Sequence, residues 1–130
     1  MIAIDTNVLV RYLVQDDPAQ SARARRFLED ELTPDQPGLV TTVALIEMVW
    51  VLETIYAAPR ATIAAIAVQL LNAQTIVVEH ADAVERALRH PPGDLADALI
   101  HEVGAIAGCT KTVTFDRAFA RLEGVELLEG

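Results

Sequence analysis

The chain is expected to adopt an α/β fold, with a mostly parallel central sheet of four to five strands sandwiched by α-helices. Three observations lead there. Short runs of β-branched residues alternate with helical stretches along the whole sequence, the pattern of a parallel sheet covered on both faces. The 130 residues, 52% hydrophobic, suffice for one buried core and are too few for two ordinary domains, so a single domain over residues 1–130 is expected. Acidic residues also fall just past predicted strands, where ligands collect in open α/β sheets.

Met1 to Ile4 reads as a short buried strand and Val8 to Val14 as a helix, with Asp5-Thr6-Asn7 at the junction. Asp17 as N-cap, Pro18 at the first helical position and Gln20 three residues after the cap predict a helix over Pro18 to Asp30, stopped by the turn-rich run Thr33 to Gly38. Leu39 to Thr41 is a second strand. Thr42 is placed to cap a helix from Val43 to about Ala57, ended near Pro59. Ala61 to Leu71 is helical, Ile76 to Glu79 a strand and Ala81 to Arg89 a helix, after which Pro91-Pro92-Gly93 breaks the chain. Asp94 can cap Leu95 to Ala107, with Gly108 closing that helix in a left-handed conformation. Thr112 to Thr114 is the next strand, Arg117 to Leu122 a short helix and Val125 to Leu128 an edge strand.

A net charge of −9 and a pI near 4.6 argue against broad, nonspecific nucleic-acid binding, so any polyanion must be met locally. Nine of the ten basic residues are Arg, whose planar fork suits phosphate. Cys109 is the single cysteine, which excludes an intrachain disulfide and a Cys-based zinc site and fits a reducing cytoplasm. No secretory signal pattern follows Met1. The most apolar stretch, Ile63 to Val78, is interrupted by Gln69, Asn72 and Gln74, so no membrane partner is expected.

Asp5, Glu47, Asp97 and Asp116 each stand near a strand end or in the first turns of a helix. Brought together, four carboxylates need a positive neutraliser, and an all-oxygen set suits Mg²⁺ or Mn²⁺. Each also has a plainer reading as a helix cap or a surface acid. Glu47 resists it, because its neighbours from Val43 to Leu52 are all apolar and an unpaired charge there calls for a cation or a cleft.

The sequence resembles the PIN-domain nucleases and, among them, the VapC-like toxin ribonucleases of type II toxin–antitoxin systems. The resemblance is carried by Met1-Ile2-Ala3-Ile4-Asp5-Thr6-Asn7-Val8-Leu9, the helix around Glu47, Asp94-Leu95-Ala96-Asp97-Ala98-Leu99-Ile100, and Gly108-Cys109 followed by Val113-Thr114-Phe115-Asp116. It implies a helix-sandwiched parallel sheet, RNA as substrate, and a complete acidic quartet around Mg²⁺ or Mn²⁺. It further implies a VapB-like antitoxin whose C-terminal segment covers the groove, a homodimer, and contact with DNA only through the antitoxin.

Within such a site Asp5 and Asp97 are the expected direct ligands, with Asp116 and Glu47 binding directly or through water. Glu47 or Asp116 can serve as general base. Thr6, Asn7 and Thr114 are candidates to orient carboxylates by hydrogen bonding. Asp94 is read as a helix cap before a ligand; His101, one turn after Asp97, permits an Asp/His metal pair; Arg11 and Arg117 are surface arginines that can reach phosphates. Trp50 and Phe115 are assigned to the core in preference to base stacking, and Arg23, Arg25 and Arg26 to a solvated face. A receiver domain fails for want of any Asp between Asp35 and Asp82, and a haloacid-dehalogenase phosphatase because Asn7 stands where a second Asp is needed. The remaining alternative is a noncatalytic PIN-like module that binds RNA or protein.

Overall fold

The computed structural model describes residues 1–91 and 93–129. They form two compact units, Met1–Ala81 and Asp82–Gly130. The proline break at Pro91-Pro92-Gly93 includes Pro92, which lies outside the described residues.

The first unit runs β1 (Ile2–Ala3), α1 (Thr6–Leu13), α2 (Pro18–Arg26), β2 (Gly38–Val40), α3 (Thr42–Thr54), α4 (Arg60–Asn72) and β3 (Ile76–Val78). Its strands pair in parallel in the order β1-β2-β3, with Ile2 opposite Gly38 and Leu39 opposite Val77. Helix α1 packs on α2 and α3, and α4 on α3 and β3. The second unit contains α5 (Ala81–Arg89, its first residue belonging to the first unit), α6 (Leu95–Ile106), β4 (Thr112–Thr114) and β5 (Val125–Leu127). Strands β4 and β5 are also parallel, with Val113 opposite Glu126. Every strand pairing within the two sheets is thus parallel, and among the described residues strands alternate with helices, as the sequence pattern predicts. Each ladder is only two or three residues long, and among the described residues hydrogen bonds join the strands into a three-stranded and a two-stranded sheet.

Several boundaries move for identifiable reasons. Helix α1 starts at Thr6 and not at Val8, because Asp5 holds an extended backbone (φ −72°, ψ 150°) and its side chain accepts from the Thr6 amide. Thr41, not Thr42, caps α3: its hydroxyl accepts from the Ala44 amide, while the Thr42 amide donates to Glu79 at the end of β3. That bond holds the Glu79 carboxyl below its usual range and ties α3 to the sheet. Asp17 caps α2 as expected, but Gln20 is turned to Arg11, and the last turn of the expected helix widens into a π-helical turn over Phe27–Glu31. The segment expected as a helix over Arg117 to Leu122 narrows to a 3₁₀ turn, Phe119–Arg121. Gly108 takes φ +93°, the left-handed closure that the sequence predicts.

Helix α3 buries Ala44, Leu45, Met48, Val49 and Leu52, a stripe at helical spacing. Val40, Ile63, Ala67 and Val78 are also buried. Gly38 enters this core at close quarters: a Cβ there would stand 2.5 Å from Ile4 Cδ1 and 2.9 Å from Leu32 Cδ1, both side chains being almost wholly buried. Gly38→Ala is therefore expected to cost about 1–3 kcal/mol through overpacking, read as a lower urea midpoint at unchanged slope. Among the described residues no helix is long and apolar enough to cross a membrane.

Candidate active site

In the first unit the strand-to-helix junction after β1 delivers Asp5 and Asn7 to the surface and buries Thr6. The Thr6 hydroxyl donates to Glu47 Oε2 at 2.7 Å across 41 positions of sequence. Asp5 and Glu47 consequently border the same clefts. One, of about 380 Å³, includes Asp5, Asn7, Arg11, Glu47, Trp50 and Tyr56 in its wall, and a neighbouring one of about 300 Å³ includes Asp5, Thr6, Thr41 and Glu47. Glu47 is exposed, which resolves the cost of a charge within an apolar helix. It lies on the face opposite the buried stripe, and Thr6 supplies its hydrogen bond.

Arg11 stands beside Asp5 in the wall of the 380 Å³ cleft and of another of about 520 Å³ that also includes Gln20 and Arg23. Its guanidinium pairs with Asp16 at 2.9 Å and donates through Nε to Gln20. Tyr56 donates to the other Asp16 oxygen at 2.7 Å. The Tyr56 hydroxyl, with the Arg11 charge, draws Asp16 below the usual carboxylate range, and the same bond raises the Tyr56 phenol. Nothing in the sequence pattern singled out Asp16 or Tyr56, since both act only through contacts made by folding. Arg23, expected on a solvated face, is exposed and pairs with Glu31.

In the second unit α6 begins at its cap, Asp94, whose side chain accepts from the Asp97 amide at 3.2 Å, the capping role the sequence suggests. Asp97 lies in the first turn. Burial, then the negative charges of Asp94 and Asp116, raise its carboxyl above the usual range. Asp116, after β4, uses Oδ1 to accept from the Ala118 and Phe119 amides, and its own amide donates to Thr114 Oγ1. Thr114 thus orients Asp116 through the backbone. His101 Nδ1 lies 2.7 Å from Thr112 Oγ1, so its ring is engaged on β4. Arg117 is exposed and makes no ion pair among the described residues.

Trp50 and Phe115 depart from their assignment to the core. Trp50 is 57% exposed and Phe115 78% exposed. Trp50 follows Glu47 by three residues and so shares its outer face of α3, while Phe115 sits in the exposed turn between Thr114 and Asp116.

Asp5, Glu47 and Asp116 each commit one carboxylate oxygen to a protein donor; the other oxygen of each, and both of Asp97, take no hydrogen bond among the described residues. These uncommitted hard oxygens suit Mg²⁺ or Mn²⁺. Among the described residues no three His, Cys, Asp or Glu side chains are grouped so as to hold a metal ion. What folding brings together is a pair in the first unit, Asp5 with Glu47 on shared clefts, while in the second unit Asp97 feels the charges of Asp94 and Asp116.

Compared with known families, residues 2–125 match the model described as the PIN domain. No curated protein matches the chain.

Proposed function

The chain belongs to the PIN-domain family, a family of nucleases, and from that premise we propose that it is a Mg²⁺- or Mn²⁺-dependent endoribonuclease, the toxin of a VapBC-like pair. The observation that carries the reading is geometric: Asp5 and Glu47 border the same clefts, each with one carboxylate oxygen that takes no protein donor among the described residues, and in the second unit Asp97 is raised by burial and by the charges of Asp94 and Asp116. Acids held this way gain from a divalent cation. Asp5 and Asp97 are assigned to hold it, with Glu47 and Asp116 directly or through water. When bound, the ion lowers the pKa of a coordinated water and offsets charge on the phosphate.

The protein's own groups do the rest. Thr6 fixes Glu47 through one oxygen and leaves the other without a protein donor among the described residues, in the wall of the cleft. Thr114 and the following amides fix Asp116. The proton of the attacking water passes to Glu47 or Asp116. An acidic chain of net charge −9 suits a basic antitoxin segment, and the VapB-like partner, the homodimer and a cytoplasmic location belong to the same proposal.

The test is cleavage of transfer, ribosomal and messenger RNAs by wild type and Asp5→Ala with Mg²⁺, Mn²⁺ or EDTA. Cleavage is expected from the wild type with either metal and is expected to vanish in EDTA and in the variant. Equal cleavage by both proteins removes the assigned site. RNA binding with no cleavage under any condition favours a noncatalytic binding module.

A further inference from the structure

Trp50 is the only tryptophan of the chain and stands 57% exposed on α3, in the wall of the 380 Å³ cleft that also holds Asp5, Glu47 and Arg11. An indole is among the most apolar surfaces a side chain offers, and leaving it in water forfeits burial energy. The apolar positions at Ala44, Leu45, Met48, Val49 and Leu52 fill the inner face of α3, so register alone directs Trp50 outward with Glu47. Three residues separate them, about 4.5 Å along the helix axis, well within the span of one nucleotide.

The cleft offers three chemistries side by side: an aromatic face, a guanidinium and two carboxylates. Arg11 is held in place by Asp16 and Gln20, and Asp16 in turn by Tyr56, so the cation is positioned before any ligand arrives. A base with its phosphate matches this arrangement, because the indole can stack on any base's π-face and the guanidinium donates hydrogen bonds to phosphate oxygens. The volume is of the size that holds a small ligand.

We propose that Trp50 is a substrate-binding residue that stacks on an unpaired base of the RNA beside the phosphate to be cut, with Arg11 taking an adjoining phosphate. The inference rests on the endoribonuclease reading and adds to it the residue that grips the base; a base within a duplex has no free face to offer such a residue.

Because Trp50 is the sole tryptophan, the protein's indole fluorescence reports on it alone. The experiment mixes wild-type protein with a short single-stranded oligoribonucleotide and, separately, with its duplex, in Mg²⁺, following emission from the moment of mixing. Wild type, Trp50→Phe and Trp50→Ala are compared by direct binding and by steady-state cleavage. Quenching by the single strand and not by the duplex is expected. Trp50→Ala is expected to weaken binding roughly 5- to 150-fold and to raise KM more than it lowers kcat, with Trp50→Phe recovering most of the loss. Unchanged emission and unchanged affinity in Trp50→Ala, with cleavage intact, overturn the stacking role and leave the nuclease reading standing. Emission that responds to protein concentration and not to RNA also overturns it, assigning the face to a second copy. No cleavage of any RNA by the wild type overturns both.

Discussion

Asp97→Asn is expected to abolish cleavage while making the metal-free protein more stable at neutral pH. Its folded carboxyl is raised above the ordinary value by burial and by Asp94 and Asp116. For such a group the favourable contribution is present below the unfolded pKa and is lost as pH rises through the folded one, so at pH 7 the ionised Asp97 is a net burden. The amide removes the charge and keeps the shape. The gain in Tm should fade as pH falls into the usual carboxylate range, where the wild type is protonated too. Cleavage should fall by more than the roughly 10–100-fold typical of losing a group that only supports a metal ligand. Added Mg²⁺ should raise the Tm of the wild type and much less that of the variant. Thermal melts across pH, with and without Mg²⁺, check both halves; a variant less stable than wild type at pH 7 would contradict this crowding of charge.

The second large effect lies at Glu102, outside the proposed chemistry. This carboxylate is buried on α6, accepting from Arg86 Nε at 2.9 Å and lying 2.8 Å from His90 Nε2. Burial pushes its pKa up, yet the bonds to His90 and Arg86 and their charges prevail and leave it lowered. Its stabilising contribution is therefore present above the unfolded carboxylate pKa and lost as pH falls through the lower folded value. The two sides of the cluster are not equivalent. The Arg86 side chain is 43% exposed and that of His90 25%, against 11% for Glu102. Taking away Glu102 leaves partners that still reach water, whereas taking away both partners strands a charge. Arg86→Met with His90→Phe is expected to cost about 3–5 kcal/mol, and Glu102→Met distinctly less. Urea denaturation of the two proteins at pH 7 checks the ordering, and a larger loss from Glu102→Met would reverse the argument.

Glu102 was open to detection in the sequence and was missed. Leu95, Ala98 and Leu99 set the inward spacing of α6, and residue 102 continues it, so an acid there announces a buried partner. Asp16 and Tyr56 carried no such sign, because they meet across a separation of 40 residues. Caps were legible where a short polar side chain serves its own helix, as at Asp17 and Asp94. The choice between Thr41 and Thr42 was not, because it turns on Glu79, a strand end far along the chain that claims the Thr42 amide.

By itself the sequence determined the alternation of parallel strands and helices, the PIN-domain family, and the position of each candidate acid near a strand end or in the first turns of a helix. These follow from period, caps and short motifs, all properties of neighbouring residues. Folding alone decided that Thr6 reaches Glu47, that Trp50 and Phe115 stand in solvent, that His101 turns to Thr112, and that Asp97 is crowded by Asp94 and Asp116. Hydrogen bonding, exposure and charge crowding depend on which distant groups share a few ångströms of space, and no local pattern encodes that.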